Sequence, residues 1–126
     1  MVTKDSLENW LAAYESAWEN RDPDAAAAIF TPNALYYETP HTDAFEGRAG
    51  IAGYWAKATA DQRDIDFASE ILAVDGDVGV ASWTASLASR STGSRIELNG
   101  VFVLKFAPDG LCSELREWWF LRSLDQ

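Results

Sequence analysis

Four side chains in this sequence have the chemistry to move a proton in an apolar setting: Tyr14, Glu38, His41 and Glu117. Glu38 ends the run ALYYE, and Tyr36, Tyr37 and Pro40 stand close enough in the chain to strip part of its water. A partly dehydrated carboxylate is a better proton acceptor near neutral pH, which suits abstraction next to a carbonyl. The plainer alternative is a solvated glutamate at a strand end. Glu117 lies between Leu115 and Trp119 at alternate positions, so in a strand all three share one face. An unpaired charge on such a face is costly, so Glu117 must be protonated, paired or in contact with a polar ligand group. If Glu38 and Glu117 face one cavity, they could serve as base and acid. The Tyr14 ring belongs to the apolar stripe of a helix, and a hydroxyl buried there needs either a protein partner or a ligand oxygen. His41, the single histidine, sits in the loop sequence PHTD. It could shuttle protons at a cavity mouth, because imidazoles exchange protons near neutrality, or it could simply be exposed.

Other chemistries find little support. With one His, one Cys and no HExxH or EF-hand spacing, no metal motif is present, and GRAGIAG is not the glycine fingerprint that follows the first strand of a dinucleotide fold. No cofactor is implied. Twenty acidic against ten basic side chains give a formal charge of -10 without a Lys/Arg cluster, so nucleic acid is not an expected partner. No window approaches the roughly 18 apolar residues of a membrane span, and MVTKDSLENW lacks a signal-peptide core, so a cytoplasmic protein with no membrane association is expected. The lone Cys112 fits a reducing compartment.

A chain of 126 residues that is 48% hydrophobic, with six Trp, is expected to form one domain over residues 1–126. Leu7, Trp10, Leu11, Tyr14, Ala17 and Trp18 recur at three- and four-residue intervals, which predicts a first helix starting near residue 5 or 6 with Asp5 and Glu8 as a capping pair. Asp22 and Pro23 ahead of four alanines predict a short second helix ending before Pro32. Residues 34–38 read as a short strand, and FEGRAGIAGYWAKATAD as a third helix despite Gly50 and Gly53. From residue 65 the period becomes two. Strands follow through VGVASWTASLASR, SRIELNGVFVLKF and LCSELREWWFLR, with turns at Asp75-Gly76-Asp77 and Pro108-Asp109-Gly110. Helices first and long meander strands after them indicate an α+β fold, a curved antiparallel sheet covered by three N-terminal helices and closing into a cone. Such a cone offers a small-molecule cavity, with Phe30, Tyr54, Trp55, Trp83, Phe102 and Trp119 as candidate wall residues. Trp118 and Phe120 fall on the opposite, outer face among charged neighbours, which suggests a homodimer packed sheet on sheet.

The order of elements, together with NRDPDAAAAIFTPNALYYETP, FEGRAGIAGYW and VFVLKFAPDGLCSELREWW, resembles the nuclear transport factor two-like superfamily and, within it, the SnoaL-like and ketosteroid isomerase-like branch. The resemblance covers nearly the whole chain and implies a cystatin-like cone. Set against the steroid isomerases, Tyr14 falls at their oxyanion-stabilising tyrosine and Glu38 at their aspartate base, while their third group, a protonated acid, falls on or near Phe102. A phenylalanine cannot donate a hydrogen bond. The resemblance therefore implies a cofactor-free isomerase or cyclase acting on a small apolar carbonyl compound. The alternative is a non-catalytic ligand-binding or dimerisation module of the same fold.

Overall fold

The structure, a computed structural model, describes residues 1–125. Helix α1 (Lys4–Glu19) begins slightly before the predicted start, because Thr3 rather than Asp5 is its cap. The Ser6 amide donates to Thr3 Oγ1 at 3.0 Å and the Thr3 amide donates to Ser6 Oγ at 2.8 Å, so each residue satisfies a free amide of the other. Helix α2 (Pro23–Ala28) opens as the sequence dictates, with Asp22 accepting from the Ala25 amide and proline in the first turn.

Strand β1 (Phe30–Tyr37) starts four residues earlier than expected and runs through Pro32. The proline is tolerated because the ladder to the next strand is irregular between Phe30 and Leu35. After a two-residue strand β2 (Phe45–Glu46) comes helix α3 (Gly47–Thr59), and then four long strands, β3 (Gln62–Asp75), β4 (Val78–Ser89), β5 (Arg95–Phe106) and β6 (Cys112–Ser123). These form one six-stranded sheet in the order β2-β1-β6-β5-β4-β3. All neighbours are antiparallel except β1 and β6, which run parallel, a pairing that a simple meander does not anticipate.

Two register shifts in β3, one beside Asp64 at φ 53°, bend the outer strand, and the sheet curls around the helices. Alternation then decides what is inside. Ala81, Trp83, Ala85 and Leu87 of β4, Phe102, Leu104 and Phe106 of β5, and Leu115 and Glu117 of β6 are buried on the concave face. Helix α1 lies directly on that face: a Cβ on Gly79 would stand 2.9 Å from Leu7 Cδ2. The fold is thus the α+β cone expected, with three helices closing the concave side. No helix among the described residues is long and apolar enough to cross a membrane.

Candidate functional site

One end of the cone is left unfilled as a cavity of about 680 Å3, the size class of a small-ligand site. Its polar wall comes from four separate elements. Tyr14 enters from α1, Tyr36 and Glu38 from β1 and the residue that follows it, Tyr54 from α3, and Glu117 from β6.

Glu117 is only 5% exposed, and its Oε2 has no hydrogen-bond partner among the described residues. Burial pushes its carboxyl well above the ordinary value of 4.5, and the nearby charge of Glu38 pushes it further in the same direction. A raised pKa extends the pH range over which a carboxyl keeps its proton and can act as a donor. The three tyrosines form its setting. Tyr14 and Tyr36 are both buried, their hydroxyls lie 3.4 Å apart, and burial is the first cause that raises the pKa of Tyr14, Tyr36 and Tyr54 alike. All three therefore keep their protons and can donate.

Glu38 is half-buried at the end of β1, one residue beyond the last rung of the β1–β6 ladder, Tyr37 with Arg116. It is held there by Trp119, whose indole N–H donates to the Glu38 carbonyl at 3.1 Å. The rest of the wall is aromatic and aliphatic, including Trp18, Phe45, Trp55, Trp83, Leu98 and Trp119. At the rim, Trp18 Nε1 donates to Gln62 Oε1 at 2.9 Å and joins the end of α1 to the start of β3.

The structure therefore brings together Tyr14, Glu38 and Glu117, with Tyr54, Trp55, Trp83 and Trp119 around them. Three other residues singled out in the sequence lie elsewhere. His41 is exposed on the loop after β1 and is not part of the wall. Phe30 and Phe102 are fully buried core: Phe30 packs edge-on against Trp10 with ring centres 5.7 Å apart, and Phe102 packs against Tyr14 at 5.1 Å. Phe102 is nevertheless informative, because its partner across the β5–β6 ladder is Glu117. The acid that the steroid-isomerase resemblance would place on or near Phe102 is absent there, but a carboxyl stands on the adjacent strand at the same level of the cone. Tyr36, Lys57 and Gln62 are wall residues that the sequence reading missed. Tyr36 carried a usable signal, since it alternates with Ala34 and Glu38. Lys57 and Gln62 carried none.

Among the described residues, no group of three His, Cys, Asp or Glu side chains is spaced to hold a metal ion. What the cavity presents is one half-buried carboxylate facing several proton donors in an apolar chamber, an arrangement suited to taking a proton from carbon while an oxygen gains charge.

The chain is 24% identical over 109 residues to a steroid Δ-isomerase of Nocardioides simplex, covering 86% of this chain and 85% of that one. The epoxide hydrolase/cyclase-like enzyme SalBIII, described for pyran ring formation in the polyether salinomycin, superposes with a TM-score of 0.83 at 22% identity, covering 98% of this chain and 99% of its own. A computationally designed 17-OHP binder has the same fold, with a TM-score of 0.79 at 15% identity over 94% of this chain and 98% of that one. Residues 10–115 match the model of the SnoaL-like domain, and the chain belongs to that family.

Proposed function

We propose that this protein binds a small, apolar carbonyl compound and relocates a proton on it, as a cofactor-free isomerase or cyclase. Glu38 takes a proton from the carbon next to the carbonyl, and the electron pair moves onto the carbonyl oxygen. Glu117, protonated, and Tyr14 donate hydrogen bonds to that oxygen. Glu38 then returns the proton to a different carbon of the conjugated system, or the enolate carbon adds to a second carbonyl of the same molecule, whose π electron pair moves onto its oxygen and takes the proton from Glu38 as the ring closes. The observation that carries this reading is the placement of Glu38, Glu117 and Tyr14 on one cavity in which Glu117 Oε2 has no partner among the described residues. The test is a thermal-shift screen of ketones, followed by deuterium exchange at the α-carbon of each hit with the wild type and Glu38→Gln. Equal exchange rates in the two proteins would remove Glu38 as the base.

The rival reading, a binding module without catalysis, draws on the Tyr14–Tyr36 hydroxyl pair, which satisfies both groups without a ligand, and on Phe102 where the resemblance leads one to seek an acid. It requires hits that bind without measurable exchange above buffer.

The outer sheet face adds a second proposal. Trp118 is 43% exposed and Phe120 82%, with Val101 beside Trp118 on β5. Large apolar groups exposed together mark a protein contact, and a second copy with the same face is the simplest occupant. The wild type is expected to sediment as a dimer at tens of micromolar, and Phe120→Glu as a monomer. A monomeric wild type rules the dimer out.

A further inference from the structure

The concave face is built in rows that cross β4, β5 and β6. The acid row is Ala81–Phe102–Glu117, the next is Trp83–Gly100–Trp119, and the one nearest the mouth is Ala85–Leu98–Leu121. Successive rows are two residues apart, about 7 Å, so the acid row and the mouth row are separated by about 13 Å. Glu117, Trp83, Trp119, Leu98 and Leu121 all line the cavity, which therefore spans all three rows. A ligand anchored by its oxygen at Glu117 and longer than one ring must cross the middle row.

That middle row pairs the two largest side chains with the residue that has none. A Cβ on Gly100 would lie 2.5 Å from Trp83 Cε2, 2.6 Å from Cζ2 and 2.7 Å from Nε1. Cε2 is bonded to both of the other atoms, and three such similar distances mean that the glycine sits under the face of the indole rather than beside its edge. Trp83 thus covers Gly100, its ring face in the space a side chain would occupy. It stacks on Phe102 with ring centres 5.4 Å apart and planes at 23°. The position leaves Trp83 Nε1 buried without a partner among the described residues, so hydrogen bonding to them is not what holds the ring there. Any side chain at residue 100 must displace this ring, which borders the cavity and is also stacked on Phe67.

We propose that Gly100 is the specificity-determining residue of this site: by leaving room for the Trp83 ring over β5 it keeps the middle of the cavity open, so that the pocket takes elongated, multi-ring ketones of about 13 Å. This deepens the reading above, since it uses Glu117 as the anchor for the ligand oxygen, but the clearance itself does not depend on catalysis.

The experiment compares dissociation constants for acetophenone, with one ring, and 2-acetylphenanthrene, with three, by calorimetry. The wild type is expected to bind the three-ring ketone at least about tenfold more tightly, and Gly100→Ala to reduce that ratio by about tenfold, the typical size of an overpacking effect. The double variant Gly100→Ala/Trp83→Phe, whose smaller ring fits beneath the added methyl, is expected to restore the ratio to within about threefold of the wild type. A general loss of packing would not be rescued in this way. An unchanged ratio in Gly100→Ala, no recovery in the double variant, or no binding of either ketone to the wild type would each overturn the proposal. Measuring the same ratio in Glu38→Gln separates the two ideas: if α-carbon exchange is unaffected by Glu38→Gln while the ratio still responds to Gly100, the base assignment fails and the clearance stands.

Discussion

Glu38→Gln is expected to lower α-carbon exchange by about 10²- to 10⁴-fold on any ketone the protein binds, the usual contribution of a positioned base. The affinity for the ligand and the melting temperature should change little. Glu38 follows the last rung of its ladder and is half-buried, and what fixes it in place is the bond from Trp119 to its main-chain carbonyl, which the substitution leaves intact. Glutamine keeps the shape and removes the proton acceptor. A fall in binding that matched the fall in exchange would instead assign Glu38 to ligand recognition.

The second large effect concerns Glu117, and it moves stability and activity in opposite directions. Its folded-state pKa is raised above the ordinary 4.5, first by burial and then by the charge of Glu38. As pH rises past 4.5, the unfolded chain releases this proton and the folded chain does not. The unfolded state therefore gains, and native stability falls by about 1.4 kcal/mol for each unit of pH until the folded pKa is reached. Glu117→Gln removes this loss, so the stability of the variant relative to the wild type should grow from about pH 4.5 upward. Chemical denaturation at a series of pH values reads the difference directly. Over the same range Glu117→Ala should reduce exchange by about 10²-fold or more, the cost of deleting one donor to a developing oxyanion. A group that destabilises the fold and is kept in a cavity fits a functional role better than a packing role. A difference between Glu117→Gln and the wild type that does not vary with pH would show that the buried carboxyl titrates normally.

Much of this arrangement was legible in the chain. The three- and four-residue spacing of Leu7 through Trp18 places Tyr14 inside, and the two-residue spacing of Leu115, Glu117 and Trp119 places a carboxyl on the concave face before any coordinates are known. Pattern alone could not separate wall from core. Phe30 and Phe102 point inward just as Trp83 does, yet neighbouring rings fill the space around them, and which inward residues border a void is decided by how the helices seat on the sheet. Lys57 and Gln62 reach the rim from the end of α3 and the start of β3, segments brought to the mouth only by the closed fold. Thr3 replaced the expected cap because a Thr–Ser pair closes two amides reciprocally, a device the Asp5–Glu8 spacing only imitates. Gly100 was silent for a different reason: a residue without a side chain shows its effect only through the ring that lies on it.

The central claim is that a neutral carboxylic acid and a carboxylate share this chamber well above pH 4.5. Carbon-13 NMR of the glutamate side-chain carboxyls, with Glu117 assigned by its loss in Glu117→Gln, tests it without any substrate. The Glu117 signal is expected to stay at its low-pH position as pH rises well past 4.5. A Glu117 signal that shifts together with those of the other glutamates, around pH 4 to 5 as for an ordinary carboxyl, would contradict it.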